Sequence, residues 1–137
     1  MTERLAHVIR ESSRALTRAL TARLARQGVS FGHWQFLRIL WDQDGLTQRE
    51  LSAGAGVAEP TTAAALKAME KLGYITRRQV PENRKNVYVH LTAKGKALRA
   101  KLEPLAVEVN RLAVRGVPAG DVEATRRTLG KLMENFR

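Results

Sequence analysis

The sequence predicts a mainly α-helical fold with a small two-stranded β-hairpin set among the helices. Three observations lead there. Apolar residues recur at steps of three and four over most of the 137 residues, the spacing that lines one face of a helix. Residues 75–80 and 87–91 read instead as two strands either side of a Pro-containing turn. Gly, Pro and capping residues then punctuate the helical stretches at intervals that leave no long linker. The length fits one domain, residues 1–137.

Each element has its own signal. Residues 4–26 predict a helix, with Leu5, Val8, Ile9, Ser12, Leu16, Leu20 and Leu24 on one face and Gly28 as the stop. Ser30 caps a second helix whose apolar face is Phe31, Trp34, Leu37, Leu40 and Trp41. Asp42-Gln43-Asp44-Gly45 ends it in a loop. Thr47, with Glu50 three residues on, opens a short third helix through a capping box. Ala53-Gly54-Ala55-Gly56 breaks that helix. A fourth begins near Pro60, tolerated in a first turn. It runs Thr61–Leu72 to Gly73 and buries Leu66, Met69 and Leu72.

The hairpin follows, with Val80-Pro81-Glu82-Asn83 as its turn. Thr92 caps a long helix in which Leu98, Leu102, Leu105, Val109 and Leu112 form a heptad-like row. That regularity predicts a seam between two subunits rather than a one-sided core. Pro104 should kink or break this helix. Gly116-Val117-Pro118 is a turn, and Val122, Thr125, Leu129, Leu132 and Phe136 mark a last helix.

The charge points to the class of partner. Lys and Arg exceed Asp and Glu by 24 to 13, a net +11, which favours polyanions. The excess is +5 over residues 46–96 and +3 in each flanking stretch. Arg77, Arg78, Arg84 and Lys85 crowd the hairpin without matching acids. A helix-turn-helix sets its second helix in the major groove of DNA. A cationic hairpin beside it reaches phosphates or the neighbouring minor groove, and the polyanion relieves its self-repulsion.

Other classes are disfavoured. The chain has no cysteine, which excludes disulfides, thiolate metal sites and thiol redox sensing. No apolar run reaches membrane length, and MTERLAHVIRES lacks a signal-peptide core. A cytoplasmic location follows as the expectation. His7, His33 and His90 show no metal-ligand spacing, so no metal and no cofactor is expected. No nucleophile–base, phosphate-loop or paired-carboxylate motif suggests an enzyme.

Residues 46–95, LTQRELSAGAGVAEPTTAAALKAMEKLGYITRRQVPENRKNVYVHLTAKG, resemble the winged helix-turn-helix core of the MarR family of bacterial transcriptional regulators. The wing and its exit, through Leu91-Thr92-x-x-Gly95, carry most of the likeness. The resemblance implies a winged helix-turn-helix at 46–95 with dimerisation helices at 1–28 and 97–137. It also implies a homodimer on double-stranded DNA at a pseudo-palindromic operator. Thr47 and Gln48 would then contact phosphates, Thr61, Thr62 and Ala64 base edges, and Lys67 the backbone. Arg84 would enter the minor groove, flanked by Arg77, Arg78 and Lys85 on phosphates. Where the family carries an acid immediately before the wing arginine, this chain has Asn83, with Glu82 one step earlier. The Ala63-Ala64-Ala65 run leaves few hydrogen-bonding readers, since alanine touches only a thymine methyl.

The family also binds small aromatic ligands between its dimer and DNA parts. His33 and Trp34, with Arg10 or Arg14, are the candidates for such a pocket. The reading is therefore a ligand-responsive transcriptional repressor, released by an aromatic acid or its thioester. The second reading is an architectural, nucleoid-type protein with low sequence specificity, suggested by the charge and the alanine-rich helix.

Overall fold

The computed structural model describes residues 4–137, apart from the side chain of Arg84. The described residues form six helices and a three-stranded antiparallel sheet in the order β1-β3-β2. The elements are α1 (Leu5–Arg26), α2 (Phe31–Asp42), β1 (Leu46–Thr47), α3 (Gln48–Ala55), α4 (Glu59–Lys71), β2 (Ile75–Val80), β3 (Asn83–Leu91), α5 (Ala93–Ala113) and α6 (Ala119–Glu134).

Local chemistry sets most of these boundaries. The Ser30 hydroxyl accepts from the His33 N–H at the start of α2. At α3 the capping box is complete: Thr47 Oγ1 accepts from Glu50 N–H, and Glu50 Oε1 accepts from Thr47 N–H. The helix runs through Gly54 and stops at Gly56, whose φ of 67° suits a residue without a Cβ. Pro60 sits in the first turn of α4. Thr92 Oγ1 accepts from Gly95 N–H to open α5.

The sheet differs from expectation in two ways. It gains a third strand, because Leu46 and Thr47 pair with Val89 and Tyr88; two residues are too few to show periodicity. Strand β3 also starts at Asn83 rather than Val87. Val80 pairs with Asn83 while Gln79 pairs with Val87, so Arg84, Lys85 and Asn86 bulge out between these pairings.

One core joins the helices to the sheet: Leu24 of α1, Phe36, Leu37 and Leu40 of α2, Leu51, Leu66, Met69, Ile75, Val89 and Leu102 are all buried. The leucine row of α5 divides accordingly. Leu102 and Val109 lie in the chain's own core, Leu98 and Leu105 pack against it, and Leu112 is exposed. The expected intersubunit seam is thus largely a one-sided core, because α1 and α2 cover the same stripe of α5 that a partner would have used. Pro104 leaves α5 unbroken. Ala100 and Pro104 both face solvent, where water satisfies the carbonyl that proline releases.

Helix α2 is latched to α5 by reciprocal bonds. Trp41 Nε1 donates to Gly95 O at 2.9 Å, and Arg99 Nη1 donates back to Trp41 O at 3.0 Å. Gly95 has no room for a side chain: a Cβ there would collide with the Tyr74 carbonyl.

The outer helices are left apolar. No residue of α6 is buried. Leu5, Val8 and Leu16 of α1 and Met133 and Phe136 near the C-terminus are exposed.

Candidate nucleic-acid interface

Helical period divides the recognition helix. Thr61, Ala64 and Lys67 of α4 are exposed along one side, while Thr62, Leu66 and Met69 are buried on the other. Thr62 is therefore not a base reader. It is fully buried, with its hydroxyl accepting from Ser52 Oγ at 2.7 Å and donating to Ala58 O at 3.2 Å. Adjacent helical residues diverge by about 100°, so Thr61 and Thr62 face different ways.

Thr47 is similarly committed. It is buried, and its hydroxyl both accepts from Glu50 N–H and donates to Glu50 Oε1. It acts as a helix cap rather than a free phosphate donor. The Thr47 backbone N–H, and after it the Thr47 hydroxyl, donate to the Glu50 carboxylate and hold it below the ordinary carboxylate range. Gln48, next in line, is half-exposed at the first position of α3.

The hairpin splits its cations between two faces. In β2, Ile75 is buried and Arg77 half-buried, while Thr76 and Arg78 are exposed. Arg77 thus turns toward the helices instead of toward solvent. Its Nη2 donates to Glu70 Oε1 at 3.1 Å and its Nη1 to Gln48 Oε1 at 3.3 Å. Its backbone N–H donates to Glu70 Oε2 at 3.1 Å, and its buried Nε has no partner. Such an ion-paired guanidinium is a poor phosphate contact, which corrects the expectation for Arg77. Arg78 and Lys85 stand free on the surface. Arg84 lies in the bulge, and its side chain lies outside the described residues.

The suggested ligand residues scatter. Trp34 is buried, edge-on to Trp41 with ring centroids 5.6 Å apart. It borders a small cavity of about 220 Å³ between α1, α2 and α5, with Leu16, Leu20, Phe31, Arg38 and Asn110. Arg10 and Arg14 are exposed on α1, Arg14 beside Glu11 at 3.4 Å. Neither borders this cavity, and nor does His33. Burial lowers the His33 pKa from the ordinary histidine value. The cation at the cavity is Arg38, missed in the sequence although it sits four residues after Trp34, on the same helix face. Glu70 and Ser52 were likewise missed.

A helix-turn-helix flanked by a cationic hairpin defines the winged-helix class. Residues 29–87 match the model of the MarR family. The chain is 28% identical over 97 residues to the organic hydroperoxide resistance transcriptional regulator of Bacillus subtilis, covering 71% of this chain and 66% of that one. It is 26% identical over 101 residues to the HTH-type transcriptional regulator TtmR of Methylorubrum extorquens, covering 74% of this chain. The match spans only 52% of TtmR's length. The crystal structure of a MarR transcriptional regulator from Methanosarcina mazei superposes with a TM-score of 0.87 at 25% identity, covering 97% and 96% of the two chains. Over residues 29–87 the chain is similar to the MarR family of transcriptional regulators, and its winged-helix fold is that of the MarR regulator from Methanosarcina mazei. Among the described residues, no helix is long and apolar enough to cross a membrane.

Proposed function

We propose that this chain binds double-stranded DNA as a homodimer and represses transcription from a pseudo-palindromic operator. The observation that carries this is the exposure of one side of α4 together with that of two wing cations. Thr61, Ala64 and Lys67 are exposed on the helix, Arg78 and Lys85 on the hairpin, and the chain's net charge is +11. Thr61 and Ala64 would meet base edges, and Lys67, Arg78 and Lys85 phosphates. Arg84 at the bulge would enter the minor groove. The relatives named as transcriptional regulators support the same reading.

The unburied apolar residues of α1 and α6 favour a dimer built from residues 1–28 and 97–137. Leu5, Val8, Ile9, Leu16 and Leu129 line a groove of about 630 Å³ between the two helices. A second copy covers such a face without a new partner. The inducer is an aromatic acid or its thioester, with its ring near Trp34 and its carboxylate on Arg38. It acts by favouring a spacing of the two lobes that mismatches the operator.

Burial of Thr62 favours a second reading, because it leaves Thr61 as the one hydroxyl on an alanine-rich recognition face. An architectural protein with low sequence specificity would have such a face. Footprinting on the DNA upstream of the chain's own gene decides. A discrete protected palindrome supports the repressor, and uniform protection supports the architectural protein. No salt-sensitive protection would refute both.

A further inference from the structure

We infer, on the DNA-binding reading above, that Arg77 is a positioning residue: it fixes the amide of Gln48 so that this side chain offers its N–H pair to a DNA phosphate. The inference begins with a constraint of chemistry. Arginine has donors only. Its Nη1 lies 3.3 Å from the Gln48 amide oxygen, and the amide can face it in one sense alone, oxygen inward. The Nε2 hydrogens then point away. Gln48 is half-exposed at the first position of α3, and no other described side chain takes up those hydrogens.

An unheld glutamine presents either its oxygen, which a phosphate repels, or its nitrogen, which a phosphate accepts from. Arg77 removes the wrong choice before DNA arrives, so less order has to be imposed on binding. Glu70 holds Arg77 in turn. Its two oxygens take the Nη2 and the backbone N–H of Arg77, both at 3.1 Å. One guanidinium therefore ties together α3, the C-terminal part of α4 and the base of the wing. The buried Nε without a partner fits a side chain held by its ends rather than seated for its own hydrogen bonding. Because Glu70 neutralises it, Arg77 displaces no counterion itself.

The test is a double-mutant cycle on binding to a duplex carrying the chain's own upstream DNA, read across a salt series with thermal unfolding alongside. Arg77→Lys keeps the charge but loses the fork that reaches both partners. It should weaken binding about tenfold with no change in the slope of log affinity against log salt. In a Gln48→Ala background the same substitution should have almost no further effect. Additive losses in the two backgrounds would make Arg77 act on the DNA independently of Gln48; that overturns the inference and leaves DNA binding intact. A wild-type chain with no salt-dependent duplex binding overturns both. If Arg77→Lys does not fold, Gln48→Glu takes over, since it keeps an acceptor for Arg77 and replaces the outward donor with an anion. It should melt no lower than wild type yet bind about tenfold more weakly or worse, and unchanged binding refutes the inference.

Discussion

Ser52 and Thr62, on the two helices of the helix-turn-helix, share a buried hydroxyl–hydroxyl hydrogen bond of 2.7 Å. The chain of donors runs from Ser52 to Thr62 and on to Ala58 O. Thr62→Val keeps the shape and removes the acceptor, leaving the Ser52 hydroxyl orphaned. Stability should fall by about 1–3 kcal/mol in denaturant titration, with DNA affinity of the folded protein unchanged. Ser52→Ala together with Thr62→Val should cost less than the two single losses combined. A large loss of DNA affinity at unchanged stability would return Thr62 to the base-reading surface.

Gly95 tests the junction of wing and α5. A Cβ there meets the Tyr74 backbone carbonyl, which cannot swing aside as a flexible side chain would. Gly95→Ala should therefore destabilise by about 3 kcal/mol or more, and thermal unfolding measures it. A wild-type melting temperature would show that the close approach relaxes freely.

The wing predictions are electrostatic. Arg78→Ala and Lys85→Ala should each lower the salt slope of DNA binding by about 0.9 and leave thermal unfolding unchanged, since both side chains are exposed. Arg84→Ala should cost about 1–3 kcal/mol of affinity, the range of a specific arginine contact. Unaltered binding in all three would assign the cluster to the hairpin itself.

Phe136 and Leu102 separate assembly from core. Phe136 is 86% exposed and Leu102 wholly buried in the single chain. Phe136→Glu should shift sedimentation toward monomer with little effect on the fold. Leu102→Ala should lower stability by about 2–5 kcal/mol. A wild-type chain that sediments as a monomer at micromolar concentration would refute the dimer.

The ligand prediction moves from Arg10 and Arg14 to Arg38. Benzoate or a benzoyl thioester should weaken operator binding in wild type, and Arg38→Ala should abolish that response while preserving DNA affinity. His33 adds a pH signature. Burial lowers its folded pKa, so the unfolded chain takes up the proton more readily. Its stabilising contribution is complete above the ordinary value of 6.5 and declines as pH falls below it. His33→Gln should flatten that part of the stability profile.

Much of this architecture was legible because helices announce themselves by period and cap. Thr47 with Glu50, Ser30 and Thr92 marked three helix starts that the structure retains. What stayed hidden depends on rotation about an axis or on a distant partner. A list of recognition-helix residues does not separate Thr61 from Thr62, although Leu66 and Met69, four and seven residues after Thr62, point to its inward side. Arg77 follows Ile75 by two, so strand alternation already turned it inward; reading the four cations as one cluster obscured that. The row from Leu98 to Leu112 fits a seam or a core equally well by spacing, and only the positions of α1 and α2 distinguish them. Arg38 needed the placement of α5 before it had anything to line.

The bonds between Trp41, Gly95 and Arg99 also define the smallest piece that can be moved between proteins. Residues 46–95 look like a self-contained reading head. Yet Trp41 and its carbonyl lie before that stretch, and Arg99, which also reaches Asp42 and Glu103, lies after it. A graft cut at 46 and 95 would carry Gly95 without Trp41 or Arg99, leaving the glycine carbonyl without its indole donor. A graft from Phe31 to Glu103 carries every partner with it, and is the length at which operator specificity should be exchangeable between members of this fold.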